Sequence, residues 1–336
     1  MVNGFITILT RSKKNRNYIH WPNLLNFPYK YEHIFCSDWE PSDNCLAIVT
    51  HDTYRYTTYE ILHKTLTGNI PVLILADGIL DYRNCWIKKH ESPAGIFNPI
   101  LGHKLACIGN SQARFIDSWN NPGKCEIIGI PRLDGIVPCP LPPPSPYKIL
   151  VCSANTPWFN QIDKKLIIQS FIDLQNIAQQ LENSGQYKFH WRLTGKLPEI
   201  LGISEDNRCL FEEIVSDFHA VVTTPSTVAI ESMYHRRPTA ILNYPRSPLY
   251  VPSAWEIHNN DGILPILHEI ITPPEPKLIY QETILNDTLQ LKEKASPRLA
   301  KLVDKMVKIG VEARRQKKPL HLPAKLLSSP EINADD

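Results

Sequence analysis

The chain has 336 residues, of which 43% are hydrophobic and 21% charged, and its formal net charge is +2. This length corresponds to about two domains that can each bury a core, and the composition excludes a wholly disordered chain. The near-balanced charge argues against nucleic acid as a partner, and no apolar run approaches the roughly 18 residues that a membrane span needs.

The start of the chain does not resemble a secretion signal. An apolar run at residues 5–10 precedes Arg11, Lys13, Lys14 and Arg16, whereas a signal peptide carries its positive charge first. We therefore expect a cytoplasmic protein. The basic run is also compatible with an anionic acceptor or with peripheral contact to a membrane, although short basic loops are usually only solvated. The eight cysteines include no Cys-x-x-Cys pair and are expected to be reduced thiols, mostly in the core.

Short, nearly continuous apolar runs recur before residue 138, which is typical of parallel strands covered on both faces. The predicted strands are residues 5–10, 33–36, 45–50, 71–76, 104–108 and 125–129. Helical spacing appears at residues 57–66 and 111–120. Residues 1–137 are therefore expected to form one α/β domain.

A proline-rich segment then interrupts the pattern. Six of the nine residues in Pro138-Cys-Pro-Leu-Pro-Pro-Pro-Ser-Pro146 are proline, so residues 138–147 are expected to be a stiff linker or a long surface loop. A second α/β domain is expected at 148–275, helices at 276–320 and a loosely ordered tail at 321–336.

The alternation of strands and helices restarts after the linker. Strands are predicted at residues 148–152, 187–193, 220–224 and 238–243, and helices at 162–183, 226–236 and 298–315. Ser184-Gly185 should end the longest of these helices. Two such series joined by a linker imply two doubly wound α/β domains that face each other across a cleft.

The segment at residues 220–243 carries the strongest functional signal. A buried strand ends in small hydroxyl residues, and a helix begins at Pro225 or Ser226. The backbone N–H groups and the positive dipole end of that helix suit a phosphate. The hydroxyl groups that accompany this turn belong to Thr223, Thr224, Ser226 and Thr227.

Helical spacing places Thr227 and Glu231 on one side of the predicted helix, away from the face that covers the sheet. A carboxylate one turn beyond a bound diphosphate is suited to accept hydrogen bonds from ribose hydroxyls. Spacing alone is equally compatible with an ordinary capped helix that carries a solvated glutamate.

This segment resembles the donor-nucleotide motif of GT-B glycosyltransferases and of their relatives, the UDP-N-acetylglucosamine 2-epimerases and the CDP-glycerol glycerophosphotransferases. The turn and the carboxylate of that motif correspond here to Thr224, Ser226, Thr227 and Glu231, and Arg237-Pro238 follow as the motif requires. The resemblance implies that Glu231 holds the ribose of a nucleotide donor.

A second match lies at the end of the first domain's last strand. The sequence Ile127-Ile-Gly-Ile-Pro-Arg-Leu-Asp134 is similar to the Gly-x-Pro-Arg-x-Asp motif of the same superfamily. Pro131 should stop the strand and place Arg132 at the edge of the cleft. The resemblance implies a GT-B architecture, in which the N-terminal Rossmann-like domain is on the acceptor side and the C-terminal one binds a nucleotide-sugar.

Two strand ends in the first domain offer candidate catalytic groups. Asp77 follows the strand at 71–76, and a partly desolvated carboxylate there could take a proton from an acceptor hydroxyl. His51 follows the strand at 45–50 and is the alternative base. An Asp-Gly turn and a surface histidine are the plainer interpretations. The expected cleft or phosphate contacts are Arg132, Gly78 and Arg83.

In the second domain, Arg192 and Lys196 follow a strand and could neutralise the donor diphosphate, although a solvated strand exit is equally compatible. The sequence contains no Asp-x-Asp motif, no Walker loop and no Gly-x-Gly-x-x-Gly. We therefore expect no metal and no cofactor, with the nucleotide-sugar as substrate.

The leading hypothesis is a glycosyltransferase that moves a sugar from a nucleotide-sugar to a saccharide or lipid-linked acceptor. A 2-epimerase is disfavoured because Thr-Thr-Pro-Ser-Thr replaces the Gly-Gly turn of those enzymes. Two further hypotheses are a glycerophosphotransferase and a non-catalytic sugar-nucleotide-binding protein on the same fold.

Overall fold

The computed structural model describes residues 4–10, 29–35, 39–40, 42–50, 56–76, 78–80, 97, 100–155, 157–158, 160–203 and 211–330. The strands are β1 Phe5–Thr10, β2 Lys30–Phe35, β3 Cys45–Thr50, β4 Val72–Leu75, β5 Lys104–Cys107, β6 Cys125–Ile127, β7 Tyr147–Cys152, β8 Tyr187–Arg192, β9 Ala220–Thr223, β10 Thr239–Leu242 and β11 Trp255–Ile257.

The helices are α1 Tyr56–Thr67, α2 Asn110–Asp117, α3 Gln161–Asn183, α4 Leu197–Leu201, α5 Phe211–Ile214, α6 Thr227–Tyr234, α7 Ile263–Ile271, α8 Glu275–Thr288 and α9 Ala295–Gln316. The chain forms two compact units. The first unit is Met1–Gly135 with Asp287–Asp336, and the second unit is Ile136–Asn286. Each unit contains one parallel sheet, so the expected doubly wound α/β class is confirmed.

The first unit has six strands in the order β2-β1-β3-β4-β5-β6. Both faces of this sheet are covered, which explains why its strands are apolar at nearly every position. One face packs against α9 through residues such as Leu302 and Met306, and the other packs against α1 through Leu62. The sequence placed the C-terminal helices outside both domains, whereas α9 is part of the first unit because its apolar stripe completes that core.

The residues that follow α9 are also packed. Leu326 and Leu327 are buried, and their backbone N–H groups donate to the Glu126 carboxylate at 2.7 and 3.2 Å. Lys104 pairs with the same carboxylate at 3.1 Å, and both side chains are only 1% exposed. Residues 321–330 thus differ from the loosely ordered tail expected from the sequence, and residues 331–336 lie outside the described residues.

The second unit has five strands in the order β11-β10-β9-β7-β8. Alternation along β7 sends Ile149 and Val151 to the face covered by α3 and α7, while Leu150 and Cys152 face Phe211 of α5. The side chain of Asn160 caps α3 by accepting the Asp163 N–H at 2.8 Å. As the sequence predicted, this helix ends at Ser184-Gly185, where Gly185 has φ +74°.

The proline-rich segment belongs to the second unit and is held there by buried side chains. The fully buried Arg237 guanidinium donates to the carbonyls of Cys139 and Pro140 at 3.0 and 3.1 Å. His219 Nδ1 accepts the Lys148 N–H at 2.9 Å, so its Nε2 carries the proton and donates to the Pro143 carbonyl at 3.0 Å.

Candidate functional site

The order of strands in the second sheet puts its switch point between β7 and β9. The chain leaves β7 toward β8 on one side, and later strands add to the other side beginning with β9. Ligands of open α/β sheets bind outside the carboxyl ends of the strands at this switch point. The segments that follow the two strands are residues 153–155 and 224–226, so the strongest sequence motif lies at the expected edge.

The turn between β9 and α6 presents the amino end of a helix at that edge. Ser226 is the N-cap residue, with φ −164° and ψ 169°, and α6 begins one residue later than the sequence predicted. The first bond at this helix end runs from Ala229 N–H to Ser226 O at 3.1 Å, so the N–H groups before it face out of the helix. Ser226 and Thr227 are half-buried.

Thr223 and Thr224 are more deeply buried than Ser226 and Thr227, the two residues that follow Pro225. Both threonines are fully buried. Thr223 Oγ1 lies 3.2 Å from Ser226 Oγ and donates to the Thr224 carbonyl at 3.0 Å. Thr224 Oγ1 accepts the Ala154 N–H at 2.8 Å. The Thr223 hydroxyl is therefore engaged within its own turn, and the Thr224 hydroxyl is engaged by the loop that follows β7.

Two opposite charges lie around the end of β7. Cys152 is in register with Arg192 of β8 and with Thr223 of β9. Burial raises the pKa of the Cys152 thiol to about 12, an effect that the positive charge of Arg192 opposes and the negative charge of Glu231 reinforces. Arg192 and Glu231, two residues proposed from the sequence, thus both act through their charges on the thiol at the end of β7.

Glu231 is only 5% exposed, which excludes the solvated glutamate that spacing alone left open. Residues 229–233 of α6 are all buried, because this short helix is covered on more than one side. A single apolar stripe on an amphipathic helix is therefore the wrong model for α6, and for this reason the sequence could not show that Glu231 is buried.

Lys196 lies at the exposed end of the loop that follows β8 and is the N-cap residue of α4. This loop is attached to the segment after β7. Thr194 N–H donates to Ser153 Oγ at 2.9 Å, and Thr194 Oγ1 donates to the Ser153 carbonyl at 3.1 Å. Arg192 is half-buried and Lys196 is exposed, so the two cationic residues predicted from the sequence differ in their exposure to solvent.

Sequence reasoning missed the loops after β10 and β11. The Asn243 side chain donates to Ser247 O at 3.0 Å and accepts the Ser247 N–H at 2.9 Å. Arg246, within this loop, is exposed and has φ +51°. His258 Nδ1 lies 3.2 Å from the Asn243 carbonyl. These loops directly follow β10, which the sequence predicted, and the three-residue strand β11. Their position after strand ends at the same edge is the signal that could have identified these residues.

Arg237 does not accompany the turn that it follows in the sequence. It precedes β10 and therefore lies at the amino edge of the sheet, where it also donates to the carbonyls of Val215, His235 and Ser216 at 3.3, 3.1 and 3.1 Å. A fully buried guanidinium needs several such acceptors. Its role in this chain is to hold the proline-rich segment rather than a phosphate.

The motif at residues 127–134 also has a clear structural role. Gly129 has φ +99°, and the Asp134 carboxylate accepts the N–H groups of Ala295 and Ser296 at 2.6 Å each, which caps α9. Arg132 is half-buried in the 3₁₀ turn Pro131–Leu133. The motif thus attaches the C-terminal helix to the first unit, in addition to any contact that Arg132 makes with a ligand.

Only part of the first unit's candidate set can be placed. The Gly78 carbonyl accepts a hydrogen bond from Gln112 Nε2 at 3.0 Å, and Gln112 Oε1 accepts the Ile108 N–H at 2.8 Å. This ties the segments after β4 and β5 together. His51, Asp77, Arg83 and the basic run Arg11 to Arg16 lie outside the described residues.

The fold is similar to that of several solved structures. A solved structure of the wall teichoic acid polymerase TagF is 12% identical, with a TM-score of 0.62 over 93% of this chain and 90% of that one. A putative UDP-N-acetylglucosamine 2-epimerase from Listeria monocytogenes is 10% identical, with a TM-score of 0.57 over 95% and 98%. S. aureus MnaA, solved with UDP, is 11% identical, with a TM-score of 0.62 over 91% and 97%.

These likenesses concern the fold, and they agree with the α/β class that the sequence predicted. No protein-family model matches the chain, and no curated protein matches its sequence. Among the described residues, none of the helices combines the length and apolar character that crossing a bilayer requires.

Proposed function

We propose that this protein is a metal-independent GT-B-type glycosyltransferase whose nucleotide-sugar donor binds at the carboxyl edge of the second sheet. The observation that carries the proposal is that the amino end of α6 directly follows β9, beside the switch point between β7 and β9. Arg192 is in register with Cys152 at the end of β7, and the charges of Arg192 and of the buried Glu231 both act on that thiol.

Each group has a distinct task in donor binding. The N–H groups at the start of α6, with the hydroxyls of Ser226 and Thr227, are suited to the diphosphate oxygens. Arg192 and Lys196 would neutralise the charge that develops on the leaving nucleotide diphosphate. Glu231 would accept hydrogen bonds from the ribose hydroxyls, and its burial makes those bonds stronger than they would be in water.

The acceptor, a saccharide or lipid-linked molecule, would be activated by Asp77 or His51. Either group would take the proton of the acceptor hydroxyl as that oxygen attacks the anomeric carbon. Asp77→Asn is expected to abolish turnover and leave donor affinity unchanged. An unaltered rate would exclude Asp77 as the base.

A second candidate is transfer of a phosphate-linked group from a nucleotide donor. The fold likeness includes TagF, a polymerase of wall teichoic acid, and a TagF variant soaked with CDPG. The same donor site would serve both reactions. Analysis of the released nucleotide separates them, because sugar transfer leaves a nucleoside diphosphate whereas glycerophosphate transfer from CDPG leaves a nucleoside monophosphate.

Calorimetric titration with UDP, CDP, GDP and CMP tests the binding step. One or more of these nucleotides should bind, and Glu231→Ala should weaken the interaction by about 1–3 kcal/mol. Glu282, exposed on α8, provides the matched control, since Glu282→Ala should leave affinity unchanged. A folded protein that binds none of the four would contradict the proposal.

A further inference from the structure

The loops at the carboxyl edge of the second sheet are joined to one another by side-chain hydrogen bonds. β7 lies between β9 and β8 in the sheet. Residues 153–155, which follow β7 and are called the middle loop here, therefore lie between the turn that begins α6 and the loop that carries Lys196. Whatever fixes the middle loop therefore fixes the distance between the two sides of the proposed donor site.

One side of the middle loop is attached to the start of α6 by Thr224. Its Oγ1 accepts the Ala154 N–H at 2.8 Å, and the whole residue is buried. A ligand does not reach a side chain with 0% exposure, so this hydroxyl acts on the donor only through the loop. If the acceptor were removed, the half-buried Ala154 N–H would lose this partner, and residues 153–155 would lose their hydrogen bond to the segment that begins α6.

The other side of the middle loop is packed against the loop that follows β8. Thr194 exchanges hydrogen bonds with Ser153 through both its N–H and its hydroxyl. Gly195 has φ +67°, and a Cβ atom there would lie 2.3 Å from the Asn155 carbonyl oxygen. A shift of residues 153–155 would consequently be transmitted to the loop that carries Lys196.

We propose that Thr224 is a positioning residue of the donor site, whose hydroxyl fixes residues 153–155 against the amino end of α6 without touching the donor. The inference rests on the proposed function, since it assigns a role within that site. It changes the role that the sequence gave to Thr224, from a donor contact to a support for the loops on which the contacts lie.

The test compares Thr224→Val with Thr224→Ser in the full chain. Valine keeps the shape but removes the acceptor, whereas serine keeps the acceptor. Nucleotide dissociation constants, measured with whichever of UDP, CDP, GDP or CMP binds the wild type, should rise about fivefold to tenfold for valine and stay within about twofold for serine.

A matched control uses the opposite edge of the same sheet. Thr239 is also fully buried, and its Oγ1 donates to the Arg237 carbonyl at 2.8 Å. Thr239→Val removes one buried hydrogen bond and should lower the melting temperature much as Thr224→Val does, yet leave the dissociation constant unchanged. Hydrogen exchange at the Ala154 amide should accelerate in Thr224→Val and not in Thr239→Val.

Three results would overturn the inference. These are unchanged affinity in Thr224→Val, an equal loss in Thr224→Ser, and an equal loss in Thr239→Val. If Thr224→Val does not fold, the nucleotide dissociation constant of Thr224→Ala, measured beside the exchange rate at the Ala154 amide, decides instead. A wild-type chain that binds no nucleotide would refute the proposed function and this inference together, whereas binding that is indifferent to residue 224 refutes the inference alone.

Discussion

The two units have the same strand order over five strands but stabilise their sheets with different parts of the chain. In the first unit, Glu126, Lys104 and Asp134 contact residues more than 150 positions later, at α9 and the residues behind it. In the second unit, Thr224, Ser153 and Thr194 join loops of neighbouring strands. Polar side chains on one sheet topology therefore hold the C-terminal residues in the first unit, and they join the loops at the carboxyl edge of the sheet in the second.

The largest change in stability is expected at the buried ion pair of the first unit, between Lys104 and Glu126. Lys104→Met should lower the free energy of unfolding by about 3–5 kcal/mol, because it leaves the Glu126 carboxylate buried without its cation. Lys308 provides the matched control, since its side chain is 69% exposed where it pairs with Asp304. Lys308→Met should cost less than about 1 kcal/mol. Equal costs in denaturant unfolding would show that the buried pair does not hold the C-terminal residues.

Helix caps allow the same chemical change to be made in each unit. Asp134→Ala removes the acceptor of two N–H groups at the start of α9 and should cost about 1–2 kcal/mol. Asn160→Ala removes the acceptor of one N–H at the start of α3 and should cost about 1 kcal/mol. Denaturant unfolding measures both. An Asp134→Ala variant as stable as the wild type would remove the structural role of the motif at residues 127–134.

The smallest expected effect concerns pH. Burial lowers the pKa of His103 in the first unit to about 4, and burial also lowers the pKa of His219 in the second. Each folded pKa lies below the ordinary value, so the stabilisation is complete above about pH 6.5 and is lost as the pH falls, for His103 down to about 4.

The free energy of unfolding should therefore fall between pH 7 and pH 5, with a contribution from His103 on the order of 1 kcal/mol. Its Nδ1 accepts the Val72 N–H at 3.1 Å, which protonation would prevent. His103→Gln should reduce the pH dependence. A pH profile with the same slope in the variant would contradict the assignment.

Much of this fold could be predicted from the sequence because buried parallel strands are apolar at nearly every position. Strands such as Cys45–Thr50 and the long helix Gln161–Asn183 were predicted within one residue of the observed ends. Strand Trp255–Ile257 was missed, since three residues carry too little pattern. The packing of residues 321–330 could not be predicted, because it depends on contacts with the distant Glu126.

The candidate site was predictable in its position but not in the burial of its side chains. The small-residue turn before α6 identified the correct edge of the second sheet, because the order of βα units fixes where strands end. Periodicity could not show that Glu231 is buried or that Thr224 bonds to Ala154. Those facts depend on which loops become neighbours across the sheet, which a single sequence does not encode in any local pattern.

Hydrogen exchange of the intact chain with and without a bound nucleotide shows where the donor lies. We expect slower exchange in peptides that cover residues 153–155, 192–196 and 224–231. The remainder of the second sheet, including β11, should exchange at unchanged rates. Protection confined to the first unit, or to the amino edge around Arg237, would contradict a donor site at the switch point between β7 and β9.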